Sequence, residues 1–237
     1  MKTIFKRELN AYFRSPVAYC VIGFFMIITG YFFWRVNIIA GSVEFEATLS
    51  GLTTYLVFLC PVITMKLLAD EKKNGTEVLL RTTPISFWQI VLGKFFAAFV
   101  VLFIMVALTL VYPIIMSIIV GTSGTVPWLA IIGGYLAFIL MGASFLSIGM
   151  LTSSMTENQI VAAVSGIVLL LAMLYTQQVG AVVGGTWGKI LIWISLSSRY
   201  NDFAAGAFNI ASLIFYIVFT AVVLFVTIMN MERKRWN

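Results

Sequence analysis

Charge and hydrogen-bonding capacity in this chain of 237 residues are concentrated in one stretch, Ala69-Asp70-Glu71-Lys72-Lys73-Asn74-Gly75-Thr76-Glu77-Val78-Leu79-Leu80-Arg81-Thr82-Thr83-Pro84, which a long apolar run follows. The chemistry such a stretch suits is recognition. Asn74-Gly75 is a turn dipeptide, Asn74 is spaced to cap a helix with Glu77 three residues on, and Glu77 would occupy the positive first turn. Pro84 ends that helix, because the residue before a proline avoids the helical region. What remains is about two turns of helix carrying Val78, Leu79 and Leu80 on a water-facing loop. Exposed leucines among charges need a partner.

Covalent chemistry finds little support elsewhere. The chain has no histidine, so the usual imidazole base and the commonest zinc or copper ligand are missing. Cys20 and Cys60 lie in apolar runs without ligand spacing and read as small buried residues, and the 11 methionines read as packing. There are no paired carboxylates and no Ser/Lys or Ser/His set. The string Val183-Gly184-Gly185-Thr186-Trp187-Gly188-Lys189-Ile190 only imitates a nucleotide loop, with Val183 where the first glycine belongs and Ile190 where a magnesium-binding Ser/Thr belongs. The chain is therefore expected to be no enzyme and to hold no cofactor or metal.

The elements that must position the island are membrane helices. With 61% hydrophobic and 10% charged residues and a mean hydropathy of +1.04, this sequence cannot clothe a soluble core. Runs of about the 20 residues that cross a bilayer predict six spans, near 17–34, 51–68, 95–120, 128–155, 159–175 and 210–230. Lys66 sits at the inner end of the second, where its stem can snorkel. Of the 15 lysines and arginines, 12 fall on one side of these spans, and Arg35, Lys189 and Arg199 fall on the other. The positive-inside rule then puts both termini in the cytoplasm. The basic balance reports this topology and calls for no nucleic acid. No cleavable signal is read at the start, because the first apolar run follows a charged amphipathic stretch and is too long.

Between Phe95 and Thr156 no acid or base interrupts the apolar sequence, and spans one, five and six are equally free. A secondary transporter ordinarily keeps a charge at mid-membrane to carry its coupling ion. If this chain moves a substrate, the energy arrives from outside the bilayer.

Finer features follow from spacing. Lys2 to Ser15 alternates charge with Ile4, Phe5, Leu9, Tyr12 and Phe13, predicting a helix along the inner membrane surface that stops at Ser15-Pro16. The turn Ser153 to Gln159 is short, so spans four and five are antiparallel neighbours, with Thr156 and Gln159 spaced as a capping box. Ala143/Ser147 and Ala162/Gly166 would let those two backbones approach. Pro113 predicts a kink in span three. After Tyr175, the run Ile190 to Leu196 is too short to span and reads as a re-entrant or interfacial outer segment held by Trp187 and Trp193. Trp193, Arg199, Tyr200 and Asp202 form an outer group that either gates a substrate or anchors this segment, the second being the plainer reading.

Four places in the chain resemble the membrane-spanning subunits of ABC-2 type exporters, in the branch of the gliding-motility permease and the permease for nitrous-oxide-reductase maturation. Arg7-Glu8-Leu9 with Tyr12-Phe13-Arg14-Ser15-Pro16-Val17-Ala18-Tyr19 is similar to that branch's amino-terminal helix. Glu71, Gly75-Thr76-Glu77, Leu79-Leu80 and Pro84 are similar to its coupling segment. Ser153 to Ala163 is similar to the turn before its fifth span, and Phe203 and Gly206 followed by the last span, ending in Glu232 to Trp236, are similar to its carboxy-terminal pattern. The likeness covers the whole chain.

It implies an all-α polytopic domain over residues 1–237, with six spans, an amino-terminal interfacial helix and a short cytoplasmic coupling helix. Two cytoplasmic ATPase subunits would carry ATP and magnesium. A second permease subunit, the same or homologous, would complete the pair, with room for an extracytoplasmic accessory subunit. Glu71, Gly75, Thr76, Glu77, Leu79, Leu80 and Pro84 would meet the ATPase, braced by Arg7, Glu8, Tyr12 and Phe13. Closure of the ATPases would then move the helix near 74–82 and tilt spans two and three. The location implied is a bacterial cell membrane, crossed several times. Asn209-Ile210-Ala211-Ser212 departs from an acidic string common in that branch, so substrate does not transfer with the likeness. The competing reading is a membrane scaffold that transmits ATPase-driven motion and moves no substrate itself.

Overall fold

A computed structural model describes residues 1–75, 86–121, 126–204 and 209–233. Ten α-helices account for nearly all of these, and no strand occurs among the described residues. In chain order they are α1 (Lys2–Arg14), α2 (Pro16–Phe32, continued by π-helical Phe33–Ile39), α3 (Phe45–Lys73), α4 (Phe87–Leu108), α5 (Val111–Val120) and α6 (Trp128–Met155). They are followed by α7 (Gln159–Val183), α8 (Gly185–Ile194), α9 (Leu196–Ala204) and α10 (Ile210–Arg233). Among the described residues six helical stretches are long and apolar enough to cross a membrane, α4 and α5 counting as one. The protein is an all-α polytopic membrane protein.

The helices run past the apolar runs that predicted them. The second stretch begins at Phe45, the third at Phe87 and the fifth ends only at Val183. Hydropathy ends a run at its first polar residues, whereas a helix continues as long as its backbone bonds close. Lys94, placed just outside the third predicted span, is thus inside a helix, two turns in from the start of α4.

At the centre stand α3 and α6, whose apolar windows are each 67% buried against 22–39% for the other four. Small residues decide how closely they approach. Gly149 of α6 faces Thr64 and Pro61 of α3, and Gly142 faces Leu102 of α4. Gly166 of α7 lies against Thr152 of α6 and Pro61 of α3. Ala143, Ser147 and Ala162 are buried as well.

The third stretch breaks at Thr109–Leu110, four residues before the expected kink at Pro113. Proline lacks the N–H that would bond to Thr109, so the strain appears one turn upstream. The Thr109 carbonyl accepts instead from the Tyr112 N–H (3.0 Å), while its hydroxyl donates to the Val106 carbonyl (2.7 Å) and lies 3.1 Å from the Tyr135 hydroxyl.

Two local expectations are corrected. The turn before α7 is not capped by a Thr156/Gln159 box. Asn158 is the N-cap, accepting from the Ile160 N–H at 2.9 Å, while Thr156 accepts from the Asn158 N–H at 3.2 Å. Gln159 is thereby released for a different partner. The run Ile190 to Leu196 is not one helix, since it divides at Ser195 between α8 and α9. The pair Gly184-Gly185, both at positive φ, turns the chain back so that α8 packs on the end of α7 through Gly188 against Gly180. A side chain at either glycine would meet backbone, which is why this hairpin needs both.

Candidate functional site

The island's amino-terminal limb is the last two turns of α3. Asp70, Glu71, Lys72 and Lys73 are helical, Asn74 is the C-cap, and Gly75 follows at φ +66, a conformation glycine adopts without strain. Thr76, Glu77, Leu79, Leu80 and Pro84, together with the expected cap of Asn74 on Glu77, lie outside the described residues.

Around that limb the structure assembles an ionic cluster from three elements. Glu8 comes from α1, Glu71 from the end of α3, and Lys94 from α4, which begins just after the island. The Lys94 side chain is 1% exposed, and its ammonium lies 2.8 Å from Glu71 Oε1 and 3.2 Å from Glu8 Oε1. It donates a third bond to the Leu67 carbonyl at 2.7 Å, so all three of its protons are used. Arg7 closes the lattice from the surface, 2.7 Å from Glu8 and 3.0 Å from Glu71. Its hydrogen bond to Glu8 raises its pKa, against the opposing effect of partial burial. Tyr12, one turn on, donates to the Ile63 carbonyl at 2.6 Å, and burial pushes its phenol upward.

Geometrically this ties both limbs of the island together and ties both to α1. Ile4, the one buried residue of α1, rests against Gly93 beside Lys94. Of the four residues singled out on α1, Arg7 and Tyr12 bond to α3 directly and Glu8 pairs with Lys94 of α4, while Phe13 stacks edge-on with Tyr19 at the start of α2.

A second set of bonds joins the same end of α3 to the turn between α6 and α7. The Ser153 hydroxyl accepts from the N–H groups of Leu68 (3.2 Å) and Ala69 (3.1 Å) and donates to the Met65 carbonyl (3.1 Å). Gln159 donates to Asp70, and Lys72 donates to the Ser154 carbonyl. Asn230, near the end of α10, donates to Ser154 Oγ at 2.9 Å. One end of the bundle is thus a continuous polar layer reaching α1, α3, α4, α6, α7 and α10.

The sequence pattern of ABC-2 family transporter proteins matches residues 3–226. The chain belongs to the ABC-2 family. A probable ABC transporter permease protein NosY of Pseudomonas aeruginosa is 33% identical over 100 residues, covering 39% of this chain and 36% of that protein.

At the opposite end of this ABC-2 protein two residues of the outer group, Trp193 and Arg199, meet each other. The Arg199 guanidinium lies over the rings of Trp193 (5.7 Å) and Phe215 (5.2 Å) and reaches the Trp193 carbonyl at 3.4 Å. Tyr200, its neighbour in α9, is buried on another face of the helix, and burial raises its phenol. The side chain of Asp202 lies outside what is described. Arg199 is thus held between two rings of different elements.

The positions missed by sequence reasoning are Lys94, Asp70, Ser153 and Gln159 as partners in one layer. Lys94 carried a usable signal, since a lysine two turns into an apolar helix must find counter-charges or leave the bilayer.

Proposed function

We propose that this protein is the membrane-spanning permease subunit of an ATP-driven ABC transporter, and that the ionic cluster at Lys94 makes the island a joint through which a partner ATPase moves the bundle. The observation that carries the reading is the buried Lys94 joining the last turns of α3 to the second turn of α4. A force applied to the residues between them would be delivered to α1, α3 and α4 together. The mechanism is therefore a common displacement of these three elements rather than a tilt of spans two and three alone. No residue of the chain performs covalent chemistry in it. Two cytoplasmic ATPases supply ATP and magnesium, and a second permease subunit completes the path for an exported substrate. Family membership and the relative named as a permease support this partnership.

Leu80→Asp tests the joint, because it puts an unpaired charge where an apolar residue would enter the ATPase. Membrane abundance should be unchanged, while capture of the co-expressed ATPase from detergent extracts should fall about tenfold, the loss of roughly 1.4 kcal/mol. Unchanged capture and unchanged ATP turnover in proteoliposomes would sink the assignment.

The polar layer would face the cytoplasm, as the basic residues argue, in a bacterial cell membrane. Single cysteines at the exposed positions Lys73 and Lys189, in a chain with Cys20 and Cys60 replaced by alanine, should label with an impermeant maleimide from opposite sides. Lys73 should react only after the membrane is opened. Labelling of both from the same side would overturn the six-crossing topology, and labelling of Lys73 alone from outside would reverse the proposed orientation.

A further inference from the structure

Between α1 and α3, beside the ionic cluster, is a cleft of about 210 Å³. Its walls are apolar, formed by Ala11, Val17, Val62, Ile63 and Leu67, and one end is charged, formed by Glu8, Lys66, Asp70, Glu71 and Lys94. Most of that charge is already matched, because Glu8, Glu71 and Lys94 pair with one another and with Arg7. Lys66 and Asp70 remain, one turn apart on the same face of α3. The Lys66 side chain is exposed and, among the described residues, makes no hydrogen bond or ion pair. Among the described residues Asp70 receives the Gln159 amide on its carboxylate and no other donor, which leaves it acceptor capacity.

The cleft lies where the amphipathic α1 meets the end of a membrane-crossing helix, the depth at which headgroups pass into acyl chains. It thus presents one ammonium and one carboxylate a helical turn apart, over an apolar wall. We propose that it binds the headgroup of an aminophospholipid of the phosphatidylethanolamine type. The phosphate pairs with Lys66, the primary ammonium donates to Asp70, and the first acyl carbons lie on Val62 and Ile63. Charge complementarity selects this occupant. An anionic lipid without an amine could pair its phosphate with Lys66 but would bring no positive charge to Asp70. A choline headgroup carries the positive charge but has no N–H to donate.

The test uses the full chain in detergent, stripped of lipid and offered equal amounts of phosphatidylethanolamine, phosphatidylcholine and phosphatidylglycerol, with retained lipid read by native mass measurement. Phosphatidylethanolamine should be retained about tenfold over the other two, as expected when one charge-assisted hydrogen bond distinguishes them. Lys66→Ala and Asp70→Asn should each remove that preference. Ala11→Trp, at an exposed position on the cleft wall, should abolish retention by filling the space. Soluble phosphoethanolamine should not displace the lipid at equal concentration; displacement would show that the headgroup alone binds and would overturn the acyl contact. Equal retention of the three lipids, or a preference unaffected by Lys66→Ala, overturns the proposal. Because Lys66→Ala changes an exposed side chain, it keeps the test decisive even if Ala11→Trp fails to fold. No ATPase is needed, so this result stands apart from the coupling proposal.

Discussion

Lys94→Met should free α1 from the rest of the molecule while leaving the membrane-crossing bundle intact. The substitution keeps the apolar stem and deletes the ammonium, so Glu8 Oε1 and Glu71 Oε1, which now converge on Lys94 at 3.2 and 2.8 Å, face each other without it. The Leu67 carbonyl also loses the donor it has at 2.7 Å. Breaking one side of a buried ion pair costs roughly 3 to 5 kcal/mol, because the remaining charge stays buried without compensation. Arg7 compensates in part, but its side chain is 55% exposed and reaches the carboxylates from the surface. The local loss should appear as amide exchange in α1 at least about a hundredfold faster, since each 1.4 kcal/mol is a factor of ten. Exchange in α6 should not change. With the partner ATPase reconstituted, ATP turnover should continue while transport falls. Adding Glu8→Gln and Glu71→Gln to Lys94→Met should restore slow exchange in α1, because the buried charges are then gone together. Unaltered exchange in α1 for the single variant would show that the cluster does not hold that helix.

Gly149→Ala should produce a large loss of stability for one added methyl group. A Cβ at this position would collide with the Thr64 hydroxyl and lie 3.3 Å from Thr64 Cβ and 3.5 Å from Pro61 Cα. The obstruction is the β-branched Thr64 side chain, which moves less readily than the end of a long flexible one, while Pro61 Cα is at ordinary contact distance. Overpacking of this kind costs roughly 1 to 3 kcal/mol, and it falls on the α3–α6 contact at the centre of the bundle. The thermal midpoint of the detergent-solubilised protein should drop by several degrees, about 2–4 °C per kcal/mol at this chain length. Thr64→Ala in the same chain should recover most of the loss, as it removes the colliding hydroxyl. Gly23→Ala is the matched control: nothing lies within 4 Å of a Cβ there, and its midpoint should not fall. Equal midpoints for Gly149→Ala and the unmodified protein would mean that α3 and α6 do not pack at this glycine.

Legibility of the fold and of the candidate site differed for a physical reason. A bilayer imposes a one-dimensional rule, since each crossing must present about 20 apolar residues in a row. Six crossings, an amphipathic helix ending at Ser15-Pro16 and an outer segment too short to cross could therefore be read by following the chain. The motifs around Arg7, Glu71 and Ser153 were equally local, and their likeness to ABC-2 exporters agrees with the family match over residues 3–226. The expected contact residues Thr76, Glu77, Leu79, Leu80 and Pro84 rest on sequence alone.

Apart from the antiparallel contact of spans four and five, partnership between helices was not legible. Hydropathy treats Lys94 as the polar boundary of a span, and only the packing of α1 and α3 against α4 gives it two carboxylates and a carbonyl. Gln159 was spaced to cap its own helix. Because Asn158 takes that role, Gln159 reaches across to Asp70 instead. Ser153 is an ordinary turn serine until α6 approaches α3 closely enough for its hydroxyl to bond three backbone groups. Sequence spacing determined which residues could be helical, apolar or charged, because those properties belong to one segment at a time. The tertiary structure alone decided which charges meet, because the rotation and separation of neighbouring helices depend on where small residues such as Gly149 and Gly166 allow contact.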